Sequence, residues 1–240
     1  YDLPAVALTK NKYMMIPYER IIKPIMVARL KPNSVILGTS RSAVGLDPIA
    51  LSKYTKSSAY NFGINGSSID EIATALRVSV RHGNSKHVVF GIDYFQFNSR
   101  NPSGVGQLEL IDSGSNWNVF ATYAEMTASL KAVFDAAETL VRNALELPPS
   151  HSELGHYIVY EPDLSPFLAY QEHQPPPTKE AYKIFDDMMS FARAQRLQLY
   201  IFVSPTYRSH LDNNPEVSEW ADRISAIASE YGYQIDRIDI

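Results

Sequence analysis

Five short runs of apolar residues constrain the fold of this chain more than any other feature of its sequence. Several are rich in β-branched or aromatic residues and stop at Gly, Asn or Pro, as buried strands do. Segments with the apolar spacing of helices alternate with them. The strands are predicted at 34–38, 59–64, 87–93, 197–205 and 233–240, and the helices near 17–30, 47–54, 68–81, 118–145, 178–195 and 215–230. This alternation predicts an α/β fold, a flavodoxin-like three-layer sandwich with a parallel sheet of about five strands.

Two insertions interrupt the alternation, at 95–117 and 147–177. The first is rich in Gly, Asn and Ser, and the second contains the proline-rich stretches LPPS and HQPPP with aromatic residues between them. Long segments without periodicity are commonly lids, partner-binding loops or poorly ordered chain. No other region has the pattern of a separate core, so we expect a single domain over 1–240. The sequence does not begin with Met, and we expect it to be trimmed at both ends.

Composition excludes several classes of function. Lys and Arg number 22 against 26 Asp and Glu, which gives a net charge of -4 and no basic surface for nucleic acid. Cysteine is absent, which excludes disulfides, thiolate metal sites and cysteine nucleophiles. The histidines and carboxylates lack the compact spacing of metal ligands, so we expect no metal and no other cofactor. No segment approaches the roughly 20 consecutive apolar residues that span a bilayer.

Polar residues follow four of the predicted strands, at 39–41, 65–68, 93–94 and 204–207. The carboxyl ends of parallel strands meet at one edge of the sheet, where ligands bind near the switch in strand order. Ser40 is the candidate nucleophile at this edge. A serine can attack a carbonyl carbon where a base takes its proton and N–H groups bind the oxyanion. The alternative is that Ser40 only starts a helix or a turn, as serine often does.

Arg41 and Asp93 have two interpretations. Arg41 binds an anionic part of a substrate, or it pairs with Asp93 in a salt bridge that satisfies both charges. In the second case Asp93 is structural. Gly66 permits close approach of the backbone to a substrate, although the turn geometry alone also explains a glycine there.

Three stretches, ILGTSRSAVGLDP, YNFGINGSSIDE and VVFGIDYFQF, resemble in their order and spacing the first three sequence blocks of the SGNH (GDSL-like) hydrolase superfamily. More specifically, they resemble bacterial envelope proteins with an N-terminal membrane anchor, related to polysaccharide acyltransferases. The resemblance covers about residues 30–100. It implies that Ser40 is the nucleophile and that Gly66 supplies an oxyanion amide, with Asn65 beside it in the substrate-binding loop. It also places Asp93 at the position of the superfamily's asparagine, next to the substrate.

The chain departs from the superfamily pattern at three points. Thr39 replaces an acidic residue of the first block, and Asp93 replaces an amide donor by an acceptor. No Asp-x-x-His motif, which supplies the base in the superfamily, follows the last predicted strand. His210, after the fourth strand, is the candidate base within the chain. A base beyond Ile240, with His210 in a surface loop, is the alternative.

The resemblance implies a serine esterase or O-acyltransferase that acts on a cell-envelope polysaccharide or glycan. The departures leave open a second function, a non-catalytic SGNH-like module that binds a glycan or a protein partner in an envelope polysaccharide assembly. The expected partners are a glycan or acyl-ester substrate and membrane-associated envelope proteins. The expected location is periplasmic, with attachment to the membrane through a segment upstream of Tyr1.

Overall fold

The computed structural model of the chain describes residues 19–98, 105–112, 130–147, 152, 154–157, 175–206 and 215–239. Within them, five strands form one sheet whose neighbouring strands are all parallel. The strands are β1 (Ser34–Leu37), β2 (Ala59–Asn61), β3 (His87–Ile92), β4 (Gln198–Thr206) and β5 (Ile235–Asp239). Their order in the sheet is β2-β1-β3-β4-β5. The predicted flavodoxin-like α/β fold with a five-stranded parallel sheet is confirmed.

Helices precede β1 and connect the strands. The described residues contain eight α-helices: α1 (Glu19–Leu30), α2 (Ser40–Gly45), α3 (Pro48–Thr55), α4 (Ile69–Val78), α5 (Val105–Asp112), α6 (Leu130–Ala144), α7 (Lys179–Ala194) and α8 (Pro215–Glu230). A π-helix (Ser79–Gly83) extends α4, and a 3-10 turn (Tyr94–Phe97) follows β3. None of the described helices is long and apolar enough to cross a membrane.

The two faces of the sheet carry separate cores, because successive residues of a strand point to opposite faces. Val35 and Leu37 of β1 belong to the larger cluster, together with buried residues of α1, α4, α7 and α8. Ile36, between them, belongs to a smaller cluster with Leu51 of α3 and Ala59 of β2. The short helices α2 and α3, which directly follow β1, therefore lie on the face opposite the main core.

Helix α4 begins as its sequence predicts. Ser68 and Glu71 form a capping box, in which the Glu71 carboxylate accepts the Ser68 N–H at 3.0 Å. The buried side of α4 includes Ile69, Ile72 and Leu76, which pack in the main core. This helix therefore starts at the carboxyl edge of the sheet, directly after the polar segment 65–68.

Part of the insertion predicted at 95–117 is helical in the structure. Residues Val105–Asp112 form α5, which packs against α4 and buries Leu108 completely. Residues 99–104 and 113–117 lie outside the described residues, as does most of the predicted insertion at 147–177. Of the helix predicted near 118–145, the described part is α6.

Candidate functional site

The turn after β1 forces the chain sharply from the strand into α2. Gly38 has a φ of +139°, a conformation that side-chain-bearing residues rarely adopt. A Cβ added to Gly38 would lie 2.2 Å from Ser42 Oγ and 2.7 Å from the Gly91 carbonyl oxygen. Glycine is therefore the residue that lets β1 end here and places Thr39 and Ser40 at the start of α2.

Ser40 is the first residue of α2, and its neighbours are held by hydrogen bonds. Thr39 is the N-cap, and its hydroxyl oxygen accepts the Arg41 N–H at 3.2 Å. The Ala43 N–H donates to the Thr39 carbonyl at 3.0 Å, which closes the first turn of the helix. Ser40 is partly exposed, and its hydroxyl makes no hydrogen bond to any described residue. The Ser42 hydroxyl in the same turn also lacks a partner among the described residues, but it is buried, whereas the Ser40 hydroxyl is accessible to a ligand.

Asp93 lies at the end of β3 and is buried, with 3% of its surface exposed. The Thr39 hydroxyl donates to its Oδ2 at 2.6 Å, and Arg41 Nη1 donates to its Oδ1 at 3.0 Å. Burial raises the pKa of Asp93, and the charge of Arg41 and the hydroxyls of Thr39 and Ser204 oppose this shift. Of the two interpretations of Arg41, the structure therefore shows the salt bridge with Asp93.

The segment after β2 forms a β-turn at the same edge. The Ser67 N–H donates to the Ile64 carbonyl at 3.2 Å, and Gly66, with a φ of +61°, occupies the position of the turn that favours glycine. Both Asn65 and Gly66 are exposed. We call residues 63–66 the Asn65–Gly66 loop.

Hydrogen bonds join the three polar segments. The Ile64 N–H and the Ser67 hydroxyl both donate to the Gly38 carbonyl, at 2.9 and 3.3 Å. Gln96, in the turn after β3, donates to the Ser67 hydroxyl at 3.5 Å and accepts the Asp93 N–H at 2.8 Å. The predicted convergence of the ends of β1, β2 and β3 at one edge therefore exists in the structure.

Hydrogen bonds connect some of the predicted site residues to one another but not all of them. Ser40, Arg41 and Asp93 form one contiguous group through Thr39, whereas no hydrogen bond between described residues joins Ser40 to Gly66. His210 lies in 207–214, outside the described residues. Among the described histidines, His156 contacts α2, because its Nε2 lies 3.0 Å from the Val44 carbonyl oxygen.

Sequence reasoning missed a group of buried charged residues beneath the Asn65–Gly66 loop. Glu19 and Lys23 of α1 are 1% and 0% exposed, and Glu71 of α4 is completely buried. Arg20 pairs with Glu71, with Nε 2.5 Å from Oε1. The only signal in the sequence is the spacing of Glu19 and Lys23 by four residues, which is equally typical of a pair on a solvated helix face.

The described residues contain no group of three His, Asp or Glu side chains able to hold a metal ion. Comparisons of the chain with protein-family models, with curated proteins and with solved structures find no match.

Proposed function

We propose that this protein is an SGNH-like serine esterase or O-acyltransferase that acts on acyl esters of a cell-envelope polysaccharide or glycan. The observation that carries the proposal is the state of Ser40. Its hydroxyl has no partner among the described residues, while Thr39 and Arg41 on either side are fixed by hydrogen bonds. A nucleophile needs this combination of a free hydroxyl on a rigid turn, because reaction depends on a fixed angle of attack.

The proposed reaction proceeds in two steps. Ser40 Oγ attacks the acyl carbonyl carbon, the hydroxyl proton passes to a base, and the ester bond to the sugar oxygen breaks as that oxygen takes the proton. Water or a second sugar hydroxyl then attacks the acyl-serine, and its proton passes through the base to Ser40 Oγ as the acyl–serine bond breaks. The acyl group leaves as the free acid or as an ester of the second sugar. The backbone N–H groups of Ser40 and Gly66 are the proposed oxyanion donors, and His210 or a residue beyond Ile240 is the proposed base.

Asp93 has a positioning role in this proposal. Its carboxylate accepts hydrogen bonds from Thr39 and Arg41, the two residues that flank Ser40. The positive charge of Arg41 also compensates a negative charge that would otherwise oppose an oxyanion nearby. Asp93 thus fixes the turn, and Arg41 limits the electrostatic cost of having a carboxylate there.

The pairing of Asp93 with Arg41 also favours a second candidate function, a non-catalytic module that binds a glycan or a protein partner in an envelope polysaccharide assembly. Asp93 supplies an acceptor where the superfamily has an amide donor, and Arg41 Nη1 is committed to it. Loss of this donor weakens stabilisation of an oxyanion, but the hydroxyl and backbone amide groups of the site can still form hydrogen bonds with a sugar. For either function we propose a periplasmic location, attachment to the membrane upstream of Tyr1 and membrane-associated envelope partners, on the sequence resemblance alone.

The experiment that separates the two functions is labelling of the full-length protein with a fluorophosphonate, followed by peptide mass spectrometry. We expect an adduct on Ser40 that disappears in Ser40→Ala. Ser229→Ala is the matched control, because Ser229 is an exposed serine of α8 whose hydroxyl donates to the Ala226 carbonyl of the same helix at 2.7 Å. Absence of an adduct on the folded protein would overturn the enzyme proposal. Binding of an acetylated polysaccharide, measured by calorimetry on the same sample, would then support the binding module.

A further inference from the structure

The first two turns of α1 carry three charged residues whose side chains are buried or partly buried. Glu19 and Lys23 are almost completely buried, and the Arg20 side chain is 26% exposed. Glutamate and lysine are rarely buried unless they are paired or hydrogen-bonded, because burial removes their hydration. The partners of these residues therefore indicate what the buried charges do.

All three residues bind the backbone of the Asn65–Gly66 loop. Glu19 Oε2 accepts the Asn65 N–H at 2.9 Å, and Arg20 Nη2 donates to the Asn65 carbonyl at 3.3 Å. Lys23 Nζ donates to the Gly63 carbonyl at 2.5 Å. The N–H and the carbonyl group of Asn65 are thus both held by α1, and the loop is held at Gly63 as well.

The same three residues bind two further segments. Arg20 pairs with Glu71, which caps the start of α4. Lys23 Nζ also donates to the Gly155 carbonyl at 3.1 Å and lies 5.1 Å from the centre of the Tyr157 ring. The Tyr157 hydroxyl donates to Glu19 Oε1. Because each charged group has several fixed partners, the loop cannot shift without breaking bonds to α1.

The loop in turn contacts the turn that carries Ser40. A Cβ added to Gly63 would lie 2.7 Å from the Ala43 nitrogen and 3.0 Å from the Thr39 carbonyl oxygen, so the backbone at Gly63 packs directly on the first turn of α2. The Ile64 N–H donates to the Gly38 carbonyl at 2.9 Å. A continuous set of contacts therefore runs from α1 through the loop to the residues before and after Ser40.

We propose that Glu19, Arg20 and Lys23 are positioning residues for the Ser40 site, because they fix the backbone of the Asn65–Gly66 loop against α2. This inference rests on the proposed function, in which the Gly66 N–H must stand at a set place relative to the Ser40 hydroxyl. Below pH 8 the bonds from Lys23 are charge-assisted, since burial lowers the pKa of its ammonium group only to about 8.

The test compares three conservative variants with a control on the same helix. Lys23→Met removes both bonds to carbonyls, Glu19→Gln removes one acceptor oxygen, and Arg20→Lys keeps the charge but loses the guanidinium fork that reaches both Glu71 and Asn65. The control is Val27→Ala. Val27 is a completely buried residue of α1, and its Cγ1 packs where a side chain on Gly83 would stand, away from the loop.

Two rates are measured on the full-length protein at pH 7: hydrogen exchange of the peptide that covers 62–67, and fluorophosphonate labelling of Ser40. In the three variants we expect loop exchange to become about tenfold faster and labelling about tenfold slower, the size of effect that follows from losing one or two such hydrogen bonds. In Val27→Ala we expect both rates to stay within about twofold of the wild type, although global stability falls. Arg20→Lys, whose side chain is partly exposed, keeps the test valid if a variant at Glu19 or Lys23 does not fold.

The outcomes are distinguishable. Unchanged loop exchange in all folded variants would overturn the inference, and so would faster exchange with unchanged labelling of Ser40. Equal changes in Val27→Ala would also overturn it, because they would reflect general destabilisation. A wild-type protein that is not labelled at Ser40 would overturn the proposed function, and the exchange rates would then decide separately whether α1 fixes the loop.

Discussion

The ionisation of the buried carboxyl group of Asp93 affects both the candidate site and the stability of the fold. Removing a carboxylate from water costs free energy, and this cost raises the pKa of Asp93 in the folded protein despite the Arg41 charge and the hydroxyl donors. The unfolded chain has no such cost. The folded and unfolded states therefore bind different numbers of protons as the pH rises from about 4.

We predict that the Asp93→Asn substitution removes a pH dependence of stability. Because the pKa of Asp93 is higher in the folded state, the wild type has this contribution in full at acidic pH and loses it as the pH rises through the folded-state pKa. The free energy of unfolding of the wild type minus that of Asp93→Asn should therefore fall as the pH rises above about 4, the pKa of an aspartate in the unfolded chain. Urea denaturation at a series of pH values measures it. A difference that rises with pH would show that the Arg41 ion pair outweighs the cost of burial.

For Lys23 we predict the opposite dependence: the free energy of unfolding rises with pH, and it does so in a more alkaline range. Burial lowers its pKa from 10.5 to about 8, so between these values the unfolded state holds a proton that the folded state has lost. Stability therefore rises with pH in this window, by up to about tenfold in the folding equilibrium constant per pH unit. We expect the wild type to gain stability relative to Lys23→Met between about pH 8 and 9.5 in urea denaturation. Lys183→Met, at an exposed position of α7, is the control substitution. A flat difference for Lys23→Met would contradict the prediction.

At the residue scale, the sequence predicted that Ser40 and Asp93 lie at the same edge of the sheet, because both follow apolar strands and parallel strands bring such residues together. The sequence did not predict the burial of Glu19 and Lys23, because a charged pair four residues apart is normally solvent-facing. Their burial depends on backbone acceptors and donors of the Asn65–Gly66 loop and of residues 154–157, which no local pattern reveals.

At the element scale, the connection from β1 to α2 is the part of the fold on which the site depends most. We predict that Gly38→Ala destabilises the protein by about 3 kcal/mol or more, because it combines a strained φ with a clash against Ser42 and Gly91. Gly45→Ala is the matched control at the other end of α2, where an added Cβ meets nothing within 4 Å. It should change the free energy of unfolding by no more than about 1 kcal/mol. Chemical denaturation monitored by circular dichroism measures both, and equal effects would show that the turn tolerates a side chain.

The helices and strands that the sequence predicted are those with long runs of apolar residues or with a clear apolar periodicity. Each of the five predicted strands and the helix predicted near 215–230 has a counterpart in the structure, since apolar burial decides their position. The helices α2 and α5 were not predicted. Helix α2 has only six residues, and α5 lies in a segment rich in Gly, Asn and Ser that lacks local helical signals. Packing on neighbouring elements, α4 in the case of α5, stabilises them instead.

At the scale of the whole molecule, one cluster of buried residues joins the described strands with α1, α4, α5, α7 and α8. Trp220 of α8 belongs to this cluster, with 1% of its surface exposed. Its ring packs edge-on against Tyr94 and Phe97, at centroid distances of 5.5 and 5.4 Å. Phe97 in turn contacts Phe185 of α7 at 5.8 Å. Loss of any of these helices would expose the others, so the cluster favours unfolding in one cooperative step.

We predict that Trp220 fluorescence and far-UV circular dichroism report the same denaturation midpoint, as expected for a single domain over 1–240. The chain has two tryptophans, so the measurement uses Trp117→Phe, which leaves Trp220 as the only tryptophan, and excites tryptophan selectively over the tyrosines. Phe185→Leu changes a different helix of the same cluster and is expected to lower the free energy of unfolding by about 1 kcal/mol. It should shift both midpoints equally. Two transitions, or a Phe185→Leu shift seen by one probe alone, would mean that part of the chain folds as a separate unit. The prediction of a single domain would then be wrong.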